Sequence, residues 1–341
     1  MWSNRVQAVL AGRDPERIER IESPSLGLLA FMVIDSTALG PAAGGVRTHA
    51  YAEEDDALVD AARLARAMTY KCALAGLDAG GGKIVVVDRP GLAREAAFEE
   101  LGRHVDAVRG DFRTAGDLGT TGEDLAAMAR MTRYVHTDTT RLAGGVARGV
   151  VRCAEACADA KGRPGISGLR AAVQGCGDIG SAVARALREA GAEVRVADLD
   201  AARAAALAEE LGATVTSPSA VLFEDVDLLA PCAVGDVITA DNVSQLRAWA
   251  VCGGANHICV DRRAHEELHR RGVLFVPDAI SSAGAVIEGI GRTVMGLDDP
   301  TSLIDALRDT AHAVLTDAIR DGRPPLDHAL RRAELRLARA R

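Results

Sequence analysis

Two lysines and one aspartate occupy positions where burial would make them reactive. Lys71 lies in the apolar stretch Met68 to Leu77, and Lys83 closes the Gly-rich run Gly80-Gly81-Gly82 ahead of the apolar Ile84 to Val87. A lysine in such a setting, close to a second cation, gives up its proton more easily and can act as a base near neutral pH. Asp117 falls in Asp117-Leu118-Gly119, which reads as a turn. Oxidation at a C–N centre needs a cation for a substrate carboxylate, a tunable base and a group that moves protons on nitrogen. Lys71, Lys83 and Asp117 are the candidates for those roles. Gly82-Lys83 does not complete a phosphate loop, because position 77 is Leu where that motif needs its first glycine and position 84 is Ile where it needs Ser or Thr.

A second constellation is local. Gly175-Cys176-Gly177-Asp178-Ile179-Gly180 follows the apolar Ala171 to Gln174 and opens an amphipathic stretch to Ala190. Between a strand and a helix the three glycines permit a tight turn, close approach of backbone to pyrophosphate and close helix–strand packing, with the phosphates at a helix N-terminus. The strand Val194 to Ala197 then ends at Asp198, spaced to accept hydrogen bonds from an adenosine ribose; its charge would repel a 2′-phosphate, favouring NAD over NADP. Asp200 would cap the next helix.

These groups need two scaffolds. Up to residue 137 the chain reads as a mixed α/β domain. Leu26 to Ile34 is an expected strand, Gly40-Pro41 to Gly44-Gly45 an expected loop, and Glu53 to Met68 an amphipathic helix delivering Lys71. After a Gly-rich junction near Thr137 to Gly145, residues 138–323 alternate short apolar strands with helices, predicting a mostly parallel, doubly wound sheet of the Rossmann type. The charged amphipathic segment within 324–341 is expected to fold back on the first domain.

Composition narrows the classes. The chain has 341 residues, 48% hydrophobic and 26% charged, enough for two cores, and with only 3% aromatics those cores must be aliphatic. Its net charge of −8 with interspersed basic residues argues against nucleic acid, and no apolar run approaches membrane-span length. The charged Met1 to Arg20 lacks the apolar core of a secretion signal, so the expected compartment is the cytoplasm. Seven cysteines without paired zinc spacing imply reduced thiols, no disulfide framework and no metal site. Among the histidines only His257, beside Asn256, is a candidate for touching substrate or nicotinamide.

Several blocks carry a family resemblance: Gly40-Pro41-Ala42-Ala43-Gly44-Gly45, Met68-Thr69-Tyr70-Lys71, Gly80 to Lys83, Asp117-Leu118-Gly119-Thr120, the Rossmann glycines, Ala230-Pro231-Cys232-Ala233, Gly253 to Asn256 and Pro277-Asp278 with Ala283-Gly284. In this order they resemble the glutamate/leucine/phenylalanine/valine dehydrogenases, with the leucine and valine branch nearest. The resemblance implies reversible NAD-dependent oxidative deamination of an L-amino acid to a 2-oxo acid and ammonia, in a homo-oligomer that is a dimer or a larger even assembly. It implies that Lys71 binds the substrate carboxylate, Lys83 activates water and Asp117 shuttles a proton on nitrogen. Gly44 and Gly45 would line the substrate cleft, with Ala43, Met68, Ala115, Ser282, Val286 and Gly289 at the substrate. Gly175, Gly177, Asp178, Ile179, Gly180, Asp198, Cys232, Ala233, Ala255 and Asn256 would contact the cofactor.

The sequence departs from the family's pattern at Cys72, Val146, His257 and Ser282, each replacing a polar amide or hydroxyl residue of the family with a different side chain, and at Gly116 beside Asp117. Small residues at 43, 115 and 289 leave volume for an amino acid bulkier than leucine, unless backbone shifts refill it. Two alternatives stay open: an NAD-binding relative without turnover, and a reductase of imines lacking a carboxylate, in which Lys71 would have no anion to pair with.

Overall fold

In a computed structural model that describes residues 14–340, the chain separates into two compact units. The first comprises the described residues up to Asp138 with 293–296 and 335–340; the second comprises 139–292 and 297–334.

The first unit is built on a five-stranded mixed sheet, in the order β1-β2-β4-β3-β5: β1 Arg17–Ser23, β2 Leu28–Ser36, β3 Ala42–His49, β4 Gly80–Val87 and β5 Phe112–Gly116. β2 runs antiparallel to β1 and β4, while β3 runs parallel to both β4 and β5. β2 is apolar at nearly every position because both faces are covered. Ala30, Met32 and Ile34 join Phe98, Leu101, Phe112 and Met128 on one side, and Phe31 and Val33 join Leu58, Ala61 and Ala65 on the other.

Two sequence expectations are corrected here. Gly44 and Gly45 lie inside β3 and not in a loop, because glycine lets neighbouring backbone come close: a Cβ at Gly44 would stand 1.7 Å from the Gly82 carbonyl oxygen. The helix expected to end at Met68 continues from Glu54 to Leu74, so Lys71 sits in its last turn, where the helix dipole favours a cation. Arg336 donates to the terminal carbonyls of Cys72 (3.3 Å) and Ala73 (2.9 Å) and pairs with Asp78 at 3.1 Å.

The second unit holds a six-stranded sheet in the order β11-β10-β9-β6-β7-β8, with every neighbouring pair parallel. The strands are β6 Arg170–Gln174, β7 Glu193–Ala197, β8 Thr214–Val215, β9 Leu228–Pro231, β10 Ala250–Val251 and β11 Leu274–Phe275. Counted from its first strand, this is the 6-5-4-1-2-3 order of a dinucleotide-binding sheet. The order reverses between β6 and β9, and the segments that leave these two strands carry Gly175 to Gly180, a turn running into a helix, and Cys232-Ala233. No helix among the described residues is long and apolar enough to cross a membrane.

Candidate active site

Strand register in the first unit assembles the charged corner. β3 pairs with β4 at a constant offset, Ala43 opposite Gly81 and Val46 opposite Ile84, which sets Lys83 level with Gly45. On the other edge Gly45 faces Ala115 and Val46 faces Gly116, so the next residues, Arg47 and Asp117, come level as β5 ends. Because Gly45 has no side chain, Lys83 can reach across β3; a Cβ there would stand 3.0 Å from the Asp117 Cβ. The Lys83 Nζ donates to Asp117 Oδ2 at 2.5 Å, and the Arg47 Nε donates to the same oxygen at 3.0 Å.

Behind this pair a second carboxylate holds Arg47. The Arg47 guanidinium donates to Asp60 Oδ2 at 3.1 Å, the Tyr51 hydroxyl donates to that oxygen at 2.7 Å, and Arg63 donates to Oδ1 at 3.2 Å. Lys83 is 5% exposed. Burial pulls its ammonium below the usual lysine range, and Asp117 only partly opposes that. Burial works to raise the Asp117 carboxyl, but the charges of Lys83 and Arg47 outweigh it and hold the group below the ordinary carboxylate range. The corner therefore sets an amine whose basicity is lowered beside an acid whose carboxylate form is favoured.

Lys71 is placed by another close approach. A Cβ on Gly81 would stand 2.1 Å from the Thr69 amide nitrogen, so the helix carrying Met68 and Lys71 rests directly on the strand carrying Lys83. The Thr69 hydroxyl donates to the buried Asp35 at 2.6 Å, with Arg66 donating to its other oxygen at 3.4 Å. Lys71 itself is 9% exposed, Met68 is half-buried, Ala43 is buried in β3 and Ala115 is half-buried in β5.

In the second unit the three glycines of the hexapeptide differ in their surroundings. Gly175 adopts φ +93°, a left-handed conformation that suits glycine, and a Cβ there would stand 2.8 Å from that of Ala233. At Gly177, the N-cap of the helix Asp178–Glu189, a Cβ would meet nothing within 4 Å. At Gly180 it would stand 1.9 Å from the Gly175 carbonyl oxygen. A tight turn, an open approach to the helix N-terminus and a close helix–strand contact are what a bound pyrophosphate requires, so the loop fits a dinucleotide. Asp198 accepts from the Cys176 amide at 2.6 Å and the Asp200 amide at 2.8 Å, and Arg203 stands 3.7 Å away. These two amides hold its carboxyl below the usual range.

Near the ends of β9 and β10 further expected residues meet. A Cβ on Gly254 would touch Ile179 (2.6 Å), Val146 (2.9 Å) and the Cys232 sulfur (3.6 Å), and the Ala255 amide donates to the Pro231 carbonyl at 3.0 Å. The Ser282 hydroxyl lies 3.1 Å from Asn256 Oδ1 and donates to the Asp278 carbonyl at 2.7 Å. His257 has φ +52°, and its amide donates to the Asp278 carboxylate at 3.1 Å. Val286 and Gly289 follow one turn apart on the helix Gly284–Thr293, both half-buried.

Residues 20–134 match the Glu/Leu/Phe/Val dehydrogenase dimerisation domain, and 199–290 match the Glutamate/Leucine/Phenylalanine/Valine dehydrogenase domain. The chain is 35% identical to the leucine dehydrogenase of Bacillus subtilis strain 168, over 96% of this chain and 93% of that one. The chain belongs to the Glu/Leu/Phe/Val dehydrogenase family. Its other relatives include the valine dehydrogenase of Streptomyces virginiae, 34% identical over 96% of this chain and 94% of the relative. The crystal structure of L-tryptophan dehydrogenase from Nostoc punctiforme superimposes with a TM-score of 0.87 at 30% identity, covering 98% of both chains.

The dehydrogenase is an oxidoreductase acting on CH–NH2 donors, with the mixed α/β and Rossmann-like parts expected of its family. Sequence reading missed Arg47, Asp60 and Tyr51. The signal was available: Ala43, Gly45 and Arg47 alternate along one strand, so a strand reading of this stretch would have set Arg47 on the face of Gly45.

Proposed function

We propose that this dehydrogenase carries out the reversible NAD-dependent oxidative deamination of an L-amino acid with a side chain bulkier than leucine, aromatic side chains included. The pairing of the buried Lys83 with the partly buried Asp117 is the observation that carries the reading, since it sets an amine of lowered basicity next to an acid that favours its carboxylate form. On this reading Lys71 pairs with the substrate carboxylate, Asp117 takes a proton from the amino nitrogen, and Lys83 deprotonates the water that attacks the imine carbon. The resulting carbinolamine loses ammonia as the 2-oxo acid forms.

NAD, when bound, supplies the hydride acceptor. Gly175, Gly177, Asp178, Ile179 and Gly180 would hold its pyrophosphate at the helix N-terminus, Asp198 its adenosine ribose, and Cys232, Ala233, Ala255 and Asn256 the nicotinamide half. Asp198 favours the ribose hydroxyl over a 2′-phosphate by charge, which supports NAD as the preferred cofactor. Ala43 and Ala115 in the first unit, and Gly289 in the second, support a large substrate side chain by being small; the family resemblance adds Gly44, Gly45 and Met68 from the first unit and Ser282 and Val286 from the second as substrate residues. The likeness to an L-tryptophan dehydrogenase points the same way. Assembly into a homo-oligomer is supported by the match of the first unit to a dimerisation domain.

A panel of L-amino acids with NAD or NADP, followed by NADH or NADPH absorbance, tests the reading. The expected result is turnover with NAD and a bulky apolar or aromatic amino acid; best turnover on valine or alanine would overturn the substrate assignment, and no turnover on any of them the deamination itself.

A further inference from the structure

The Asp117 carboxylate has two cations on one oxygen, Lys83 and Arg47, and only one of them can serve as a base. An arginine keeps its proton throughout the pH range of a protein. When the Lys83 ammonium releases its proton to solvent, the N–H bond breaks, the electron pair stays on nitrogen and Asp117 loses one counter-charge. A partly buried carboxylate left alone would favour the protonated amine and pull that proton back. Arg47 removes this obstacle, because it still faces Asp117 at 3.0 Å and is kept in place by Asp60 at 3.1 Å.

The surrounding charges agree with this division of labour. The charged groups that act most on Lys83 are Asp117 at the end of β5, Arg47 on β3 and Asp60 on the helix Glu54–Leu74, the helix that also carries Lys71. Arg63 pairs with the remaining oxygen of Asp60, and Tyr51, whose hydroxyl is pushed up by burial and by Asp60, stays neutral.

We propose that Arg47 is a positioning residue that holds the counter-charge of Asp117 so that Lys83 can work as a neutral amine, with Asp60 and Tyr51 holding Arg47 in turn. The function assigned to this arrangement rests on the deamination reading, but the arrangement can be tested without turnover.

Cyanate carbamylates only the neutral amine, so the rate of carbamylation at Lys83, followed by peptide mass spectrometry against pH, reads its proton equilibrium directly. In Arg47→Gln the midpoint is expected to move up by about one pH unit, the scale of losing a neighbouring charge, and Arg47→Lys is expected to restore most of the shift. Arg47→Gln with Asp60→Asn removes the cation together with its anion, leaves no unpaired buried charge and is expected to move the midpoint the same way. An unchanged midpoint in both the single and double variants would overturn the proposal. Where the wild type turns over an amino acid, the rising limb of kcat/KM should follow the same shift; a lower kcat with an unmoved limb shows a merely structural arginine and also overturns it. A wild type inactive on every amino acid would remove the deamination reading while leaving the carbamylation result standing.

Discussion

The two units handle charge in opposite ways. In the first, ionised side chains gather in one corner, the buried Lys83 with the partly buried Asp117, Arg47 and Asp60, each satisfied by another and set there by three strands and a helix. In the second, the hexapeptide Gly175 to Gly180 offers backbone and open space, and the carboxylate at the end of the next strand, Asp198, accepts from the Cys176 and Asp200 amides. The first kind of site depends on long-range register, and the second is written in consecutive residues. They should therefore fail differently when perturbed.

The largest effect is expected from Lys83→Ala. Loss of a positioned base should lower kcat by about 10²- to 10⁴-fold, while NADH affinity measured by fluorescence stays at the wild-type value. A parallel loss of NADH affinity would break the contrast. Next comes Gly180→Ala, whose Cβ must displace the Gly175 carbonyl 1.9 Å away. Overpacking of this kind costs about 1–3 kcal/mol of stability, so the melting temperature should fall, and NADH affinity should fall with it as the displaced Gly175 turn no longer presents its backbone. Gly177→Ala, with open space around it, should leave the melting temperature unchanged and weaken only cofactor binding. If Gly177→Ala instead lowered stability as much as Gly180→Ala, the distinct surroundings of the two glycines would carry no weight.

The contrast also explains what was legible in the sequence. The nucleotide loop could be found from its own residues, because strand, glycine spacing, helix and Asp198 follow one another. Lys83 and Asp117 could be named from type and neighbourhood, and the family's blocks gave them roles. Arg47 could not, since Gly40-Pro41 and Gly44-Gly45 look like chain breakers until the close packing of β3 between β4 and β5 is known. The same ambiguity shortened the Lys71 helix: Thr69 and Tyr70 weaken helix propensity, yet packing on Gly81 and the Asp35–Thr69 hydrogen bond extend it to Leu74. β8, two exposed residues long, carried no periodic signal.

A smaller effect sharpens the comparison further. Asp198→Ala removes a charged acceptor worth about 1.5–3 kcal/mol in hydrogen bonds, and the KM for NAD should rise about tenfold or more with kcat nearly unchanged. A fall in kcat alone would argue that the acid acts elsewhere. The smallest effect belongs to Thr121→Ala. The Thr121 hydroxyl accepts from the Asp124 amide at 3.2 Å, and the Thr121 amide in turn donates to the Asp124 carboxylate at 2.8 Å, closing a capping box just after the Asp117 turn. Its loss should cost about 1 kcal/mol in denaturant unfolding and leave the pH profile in place.

All seven thiols are free and shielded, none more than 9% exposed. Burial also pushes several of them up, Cys72 and Cys232 to about 12 and Cys176 to about 11, far from the reactive thiolate. A chromogenic disulfide reagent will therefore react only as fast as the chain opens, so the protein carries its own stopwatch for local unfolding. Cys176, within the glycine hexapeptide, and Cys153 and Cys157, deep in the helix Leu142–Ala160, would report separately on the loosening of a loop and the loss of a core.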